Sequence, residues 1–185
     1  MHRTLSAISL VLLASCGSGP EPNLKSGDPY ERYLGALEAA DSGDPESMKS
    51  VEALLKDSDP LARTGAIVAL AQAKPAGALK LLTGMLSDGD PGVRTEAVRA
   101  VAGFKDPSSV EPIARMLKDA MEEPRRVAAI ALGEFGDQPP VRAALLEAFE
   151  DKSAGVAFNA YQSLVRVTGR ADLPRGAAAA KQALQ

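Results

Sequence analysis

Apolar positions recur along the chain at intervals that fit two alternating sets of short helices. In the second set, apolar residues at i, i+3 and i+7, such as Leu79, Leu82 and Leu86, form one stripe on a helix of 3.6 residues per turn. Short polar stretches rich in Gly, Asp and Pro separate the runs, so neighbouring helices are expected to be antiparallel. The pattern predicts an all-α protein.

A 31-residue interval relates successive pairs of helices. It is kept at apolar and polar positions alike: Ala66, Ala97 and Ala128; Leu79, Val110 and Val141; Arg32, Arg63, Arg94 and Arg125; and Asp28, Asp59 and Asp90. A fixed short period is the signature of a stacked array, in which no unit buries its apolar stripe alone. Residues 28–185 are therefore interpreted as an α-solenoid of about five two-helix repeats.

Asp-Pro pairs mark several helix starts, because Asp accepts hydrogen bonds from first-turn amides and Pro needs no N–H partner at the next position. First helices are predicted near residues 29–40, 60–73, 91–103, 124–135 and 155–167, and second helices near 45–56, 76–86, 107–119, 139–150 and 173–184. Pro124 stands where the preceding unit has Val93, so the first helix of the fourth unit is expected to start differently.

The unit DPGVRTEAVRAVAGFKDPSSVEPIARMLKD, residues 90–119, resembles HEAT repeats of the short bacterial type, which also occur in phycocyanobilin lyase subunits. The resemblance extends from residue 28 to about residue 170. It implies a right-handed solenoid whose second helices line the concave face.

Residues 1–15 have the pattern of a secretory signal, with a polar start and the apolar stretch LSAISLVLL. Residues 13–16, LASC, resemble the lipobox of bacterial lipoproteins, which implies cleavage before Cys16 and its lipidation. The alternatives are an ordinary cleaved signal with an incidental cysteine, or a buried thiol. Residues 16–27 are interpreted as the lipidated cysteine and a flexible tether rich in Gly, Ser and Pro.

These features predict a protein anchored to a bacterial membrane through its lipid and facing the periplasm. Gly17, rather than Asp, after the cysteine favours the outer membrane by a sorting rule that varies between bacteria. The apolar stretch of nine residues is too short to span a bilayer, which needs about 20.

Composition and charge exclude several function classes. The formal net charge is −3, and acids outnumber bases, which argues against nucleic acid as a partner. The single histidine, His2, lies in the segment predicted to be removed, so no imidazole remains for a Ser–His–Asp site or a His-dependent metal site. No catalytic residue, metal or cofactor is predicted, and a carboxylate-dependent hydrolase is the remaining enzymatic alternative.

Two sets of repeated polar residues have both a structural and a functional interpretation. The stretches Asp57-Ser58-Asp59 and Asp88-Gly89-Asp90 are interpreted as helix caps, with calcium binding as the alternative. The recurring arginines Arg32, Arg63, Arg94 and Arg125 are expected to form hydrogen bonds within or between repeats, with a ligand-binding ladder as the alternative.

The candidate binding residues lie on the second helices: Lys49, Lys80, Glu111, Arg115 and Arg142. They are interpreted as a mildly basic strip on the concave face, suited to an acidic protein segment, with a solvated face as the alternative. Tyr30 and Tyr33 are candidates for closing the end of the array or contacting a partner. We therefore expect a non-enzymatic adaptor or scaffold that binds a protein or peptide; an accessory docking subunit of an envelope enzyme or cofactor-maturation complex is the alternative.

Overall fold

The structure is a computed structural model that describes residues 22–184, where it contains ten α-helices and no β-strand. This confirms the predicted all-α class. The first helices of the five units are α1 (Pro29–Ser42), α3 (Pro60–Ala73), α5 (Pro91–Ala102), α7 (Glu122–Leu132) and α9 (Ala154–Thr168). The second helices are α2 (Pro45–Leu54), α4 (Ala78–Gly84), α6 (Val110–Met116), α8 (Pro139–Ala148) and α10 (Ala177–Ala183).

The helices form two layers, as expected for an α-solenoid. The first helices stack directly on one another, from α1 through α3, α5 and α7 to α9. From α2 to α8, each second helix contacts the first helix of its own unit and that of the next unit, whereas contacts between successive second helices are sparser. Each unit is therefore held mainly by its neighbours.

One continuous apolar core fills the space between the two layers. Leu70, Leu82, Ile113 and Leu132 are fully buried, and burial of one such side chain stabilises the fold by about 1.5–3 kcal/mol. Small residues allow the first helices to approach closely, since a Cβ atom added to Gly65 would lie 2.8 Å from the Cα atom of Tyr33.

Aspartates cap the first helix of each of the first three units, as predicted. The carboxylates accept hydrogen bonds from first-turn amides at 2.8–2.9 Å: Asp28 from Tyr30, Asp59 from Leu61, and Asp90 from Gly92. Loss of such a cap typically costs about 1 kcal/mol. These aspartates therefore have a structural role at the helix starts.

The fourth unit starts its first helix two residues earlier than predicted. Helix α7 begins at Glu122, and Met121 precedes it without a side-chain cap. The carboxylate of Asp119 instead accepts a hydrogen bond from the backbone N–H of Met121 at 2.9 Å. Pro124 fits as the third helical residue, because amides in the first turn have no partner within the helix.

The second helices are shorter than the periodicity predicted. Helix α4 passes into a 3₁₀ turn at Met85–Ser87, and a 3₁₀ turn at Pro107–Ser109 precedes α6. Helix α10 starts at Ala177 rather than near residue 173. A proline disfavours the helical conformation of the residue before it, so Leu173, which precedes Pro174, does not start the helix.

Candidate functional site

The first four units each contain a bidentate ion pair between an arginine of the first helix and an aspartate that follows the second helix. In the second unit, Nε and Nη2 of Arg63 each donate to the carboxylate of Asp88 at 2.8 Å. The same geometry joins Arg32 to Asp57, Arg94 to Asp119, and Arg125 to Asp151. All eight side chains are at most 14% exposed, so these pairs are largely shielded from water.

A third hydrogen bond links each pair to the turn before it. Nη1 of Arg63 donates to the carbonyl oxygen of Asp57 at 2.9 Å, while the carboxylate of Asp57 binds Arg32 of the preceding unit. Asp88 also accepts a hydrogen bond from the backbone N–H of Asp90 at 2.9 Å. The four pairs therefore form one connected series, which we call the Arg–Asp ladder.

At each end of the ladder, the next position in the series holds an uncharged residue. Ser26 stands one repeat interval before Asp57, and its hydroxyl accepts a hydrogen bond from the backbone N–H of Asp28 at 3.1 Å, as a ladder aspartate does in its own turn. The last repeat is shifted by one residue, since Ala160 follows Ala128 by 32 residues rather than 31. With this shift, Ala157 occupies the next arginine position after Arg125. Within residues 22–184, each change removes a charge that would have no ladder partner at that end.

The ladder lowers the pKa of its carboxyl groups. For Asp119 the largest cause is the hydrogen bond from Arg94, and desolvation opposes it. For Asp57 desolvation is the largest influence and raises the pKa, but the hydrogen bonds and charge of the neighbouring groups, Arg32 above all, outweigh it and the pKa is lowered. These carboxylates are therefore ionised at neutral pH and bound to permanent cations, which does not suit them to proton transfer.

The paired aspartates in the turns have two different roles. Asp59 and Asp90 cap helices, as predicted, whereas Asp57 and Asp88 belong to the ladder and do not cap the following helix. The interpretation of both members of each pair as helix caps was therefore wrong for the first member. Within residues 22–184 no group of three or more His, Cys, Asp or Glu residues is placed to hold a metal ion.

The 31-residue interval identified the repeated arginines, but the sequence analysis did not identify the four aspartates as their partners. Asp57, Asp88 and Asp119 keep the repeat interval, and Asp151 stands one position later than that interval would place it. The last repeat shows the same shift at other positions, so a search of every acidic residue at these intervals would have found the series.

The candidate residues on the second helices carry both charges, and their role as a mildly basic binding strip stays a prediction. Four of the five belong to local ion pairs: Lys49 with Glu46 at 2.7 Å, Arg115 with Glu111 at 2.9 Å, and Arg142 with Asp137. Lys80 is exposed and has no ion-pair partner among the described residues. These residues and their partners present both charges, and Lys80 is an exposed cation on the same set of helices.

A shallow groove lies between α5 and α7 on the first-helix layer. Arg99 and Arg126 line it together with apolar residues that include Val127 and Ala131. Glu123 lies 3.8 Å from Arg99 and 2.6 Å from Arg126. Because this carboxylate neutralises both guanidinium groups in part, the groove is not a strongly cationic site.

Cys16 lies outside the described residues, so its lipidation stays a prediction. In the described range, none of the helices is long and apolar enough to cross a bilayer.

A protein-family model for HEAT repeats matches residues 21–91 and 79–165. No curated protein matches the sequence. The chain is similar in fold to a number of solved structures, two of which follow. The complex of CpcE and CpcF of phycocyanin lyase from Nostoc sp. PCC7120 matches with a TM-score of 0.64 and 19% identity, over 91% of this chain and 71% of the other chain. An engineered protein matches with a TM-score of 0.57 and 21% identity, over 78% and 76% of the two chains.

Proposed function

Because the chain belongs to the HEAT-repeat family, we propose that it is a non-enzymatic scaffold that binds a protein or peptide through its second helices. The observation that carries this proposal is the contrast between repeated and variable positions. Repeated residues, such as Arg63 and Asp88, bind one another inside the array. Equivalent exposed positions on the second helices differ, as Lys80 and Glu111 do, so successive units present different charges, and a partner with complementary charges binds such a surface selectively.

The mixed charge of this surface defines the chemistry of the partner. A partner segment that presents both acidic and basic side chains replaces the local pairs, such as Lys49 with Glu46, by pairs across the interface. Lys80 adds an attraction for one acidic group. We therefore expect a segment of mixed charge with an acidic residue opposite Lys80, and electrostatic complementarity mainly determines its specificity and association rate.

The second part of the proposal is that Cys16 is lipidated and anchors the protein to a bacterial membrane on its periplasmic side. The sequence LASC after an apolar segment supports this assignment. Two or more acyl chains anchor a protein stably, whereas one chain binds a membrane only marginally. Gly17 favours the outer membrane.

A second candidate function is that of an accessory docking subunit in an envelope enzyme or cofactor-maturation complex. The observation that favours it is the likeness in fold to the CpcE and CpcF complex of phycocyanin lyase. In this case the catalytic residues lie on the partner chain, and the solenoid supplies the docking surface.

The test of the binding surface is a crosslinked pull-down of the full-length protein from detergent-solubilised native membranes. The variant Lys49→Glu, Lys80→Glu and Arg142→Glu reverses three charges on the second helices. The control Arg99→Glu, Lys152→Glu and Arg166→Glu reverses three charges outside the second helices. We expect the first variant to lose the partner and the control to retain it.

A partner retained by both variants would contradict the second-helix site. Identification of the captured chain separates the two candidate functions, since an enzyme with its own catalytic residues indicates a docking subunit.

The test of the anchor is the intact mass and membrane fractionation of the Cys16→Ala variant. The wild-type protein is expected to carry acyl groups on a chain that starts at Cys16 and to remain in the membrane fraction after washing at high pH. The variant is expected to lose both properties. An unchanged mass and fractionation would overturn the anchor.

A further inference from the structure

Exposed apolar side chains are concentrated at the amino-terminal end of the array. Among the described residues, three of the six exposed large apolar side chains lie on α1 and α3: Tyr30, Leu34 and Leu61. Tyr30 is 55% exposed, a large fraction for an aromatic side chain that also stacks on Tyr33, with ring centroids 6.4 Å apart. This end of the molecule therefore presents apolar surface that the fold itself does not cover.

The three residues share one side of the array. Leu34 follows Tyr30 by four residues, which places both on the same face of α1, one turn apart. Leu61 follows Tyr30 by one repeat interval and holds the equivalent position on α3, the helix packed directly against α1. We call Tyr30, Leu34 and Leu61 the amino-terminal patch.

The segment that leads into α1 is folded onto the helix beside this patch. Asn23 packs against Gly35, and its amide donates to Glu31 at 2.9 Å, while Leu24 packs on the core. The folded body thus starts at about residue 22, and Cys16 is only six residues earlier. A chain of six residues spans at most about 20 Å.

We propose that the amino-terminal patch rests on the lipid surface to which Cys16 is anchored; the inference rests on the proposed lipidation of Cys16. The short reach of the chain keeps the amino-terminal end of the array at the membrane. Tyr30 combines an aromatic ring with a hydroxyl, which suits the boundary between acyl chains and water. Leu34 and Leu61 add apolar area that is removed from water at the same boundary.

Charged residues limit this contact to the beginning of α1. Glu38 is exposed and lies eight residues after Tyr30, about 12 Å further along the helix axis. A carboxylate is costly to bring into the acyl region. Glu31, next to Tyr30 in the first turn, is exposed as well, so the patch lies at the headgroup boundary, above the acyl region, and the later turns of α1 stay in water. The contact therefore gives the array a defined orientation that a flexible tether alone does not provide.

The absence of tryptophan from the chain allows a direct test. The variant Tyr30→Trp introduces a single fluorescent reporter into the patch of the full-length lipidated protein. Phe158→Trp, on α9, is the matched control, because Phe158 is an aromatic residue of similar exposure, 59%, near the opposite end of the array. Each protein is reconstituted in vesicles of phosphatidylethanolamine and phosphatidylglycerol with bromine at a shallow position on the acyl chains.

We expect bromine to quench the emission of Tyr30→Trp and to leave that of Phe158→Trp unchanged. Emission of Tyr30→Trp should also move to a shorter wavelength on reconstitution. Leu34→Trp, one turn further along α1, supplies a second reporter and should be quenched as well. Circular dichroism checks that each variant keeps the helical fold.

The other outcomes overturn the inference in distinguishable ways. Protein that has the lipidated mass and floats with the vesicles, but whose Tyr30→Trp emission is not quenched, overturns the membrane contact and leaves the anchor intact. Protein without the lipid mass that fails to float overturns the anchor, and the membrane contact with it. Unquenched emission together with a crosslinked dimer shows that a second copy of the chain covers the patch.

Discussion

Arg94 makes contacts that a lysine at the same position cannot reproduce. Its guanidinium group donates through Nε and Nη2 to Asp119 and through Nη1 to the carbonyl oxygens of Asp88 and Gly89. A lysine ammonium group is a compact charge without this planar fork. In a largely buried pair, loss of the fork leaves part of the carboxylate without a hydrogen-bond partner.

The first prediction concerns this difference between arginine and lysine. We expect Arg94→Lys to lower the free energy of unfolding by about 2–4 kcal/mol, because several hydrogen bonds to charged groups are lost in a shielded site. The measurement is urea unfolding followed by circular dichroism. Arg99→Lys, at a half-exposed position on the same helix, serves as the control and should change the free energy by less than about 0.5 kcal/mol. Equal effects of the two substitutions would contradict a structural role of the ladder.

The second prediction concerns acid. The pKa of Asp119 in the folded protein lies below its ordinary value of 3.8, because of the hydrogen bond from Arg94. Near pH 4 the folded state therefore binds fewer protons than the unfolded state. The ionised carboxylate contributes to the free energy of unfolding above that pH, and this contribution is lost as the pH falls further. We expect Asp119→Asn to be less stable at pH 7 and to lose less additional stability between pH 5 and pH 2 than the wild type. Unfolding curves across this range are the measurement, and a variant with the full acid dependence of the wild type would count against the assignment.

The repeat pattern identifies a series of candidate partners for the arginines but not the contacts themselves. The series of Asp57, Asp88, Asp119 and Asp151 continues beside every ladder arginine, whereas the series of Asp59 and Asp90 ends at Met121. Three-dimensional packing decides the contacts, because the turn after each second helix returns to the start of the first helix. The same holds for the candidate residues on the second helices. The sequence predicted that Lys49 and Arg142 lie on these helices, but it did not predict their ion pairs with Glu46 and Asp137.

At the scale of helices, the distance between stacked neighbours is set by small residues. Gly65 lies where α3 meets Tyr33 of α1, and a Cβ atom there would be 2.8 Å from the backbone of Tyr33. Gly84, the last residue of α4, has a helical conformation and no atom within 4 Å of its hypothetical Cβ atom. The two glycines therefore differ in environment while sharing a helical backbone.

The third prediction is that alanine has opposite effects at these two glycines. Gly65→Ala should lower the free energy of unfolding by about 1–2 kcal/mol, since overpacking against α1 outweighs the gain in helix propensity. Gly84→Ala should raise it by about 0.5–1 kcal/mol, because the propensity gain meets no steric cost. Thermal and urea unfolding of both variants provide the measurement. A stabilising Gly65→Ala would show that α1 and α3 are further apart than described.

Helix starts were predicted more accurately than helix ends. Asp-Pro pairs give a local chemical signal for a start, as at Asp59 and Asp90, where the capping carboxylates are found. The ends of the second helices lack such a signal, and α4 passes gradually into a 3₁₀ turn. Its length depends on packing against α5, which periodicity does not specify.

Across the whole molecule, stability depends on how many neighbours each helix has. Helix α5 packs between α3 and α7 and also contacts α4 and α6, whereas α10 contacts mainly α8 and is only seven residues long. Local opening requires less free energy where fewer buried contacts are lost.

The fourth prediction is a gradient of amide protection along the array. We expect the amides of α10 to exchange first, and those of α5 and α7 to exchange last, in hydrogen exchange followed by mass spectrometry. Removal of residues 170–185 provides the control, because it should leave the protection of α5 nearly unchanged in a protein whose units interact with their nearest neighbours. Uniform protection from α1 to α10 would indicate a single cooperative body.

Each ladder arginine and its aspartate belong to the same unit, and this affects how repeats can be duplicated or lost during evolution. A segment of residues 60–90 contains Arg63, its partner Asp88 and the capping Asp90 of the next helix. If a duplication inserted a copy of this segment after residue 90, the copied arginine would follow Asp88 at the spacing by which Arg63 follows Asp57, and every charge would keep a partner. A whole unit can therefore be gained or lost by recombination without leaving a ladder charge unpaired, so the ladder itself does not fix the number of units in the array.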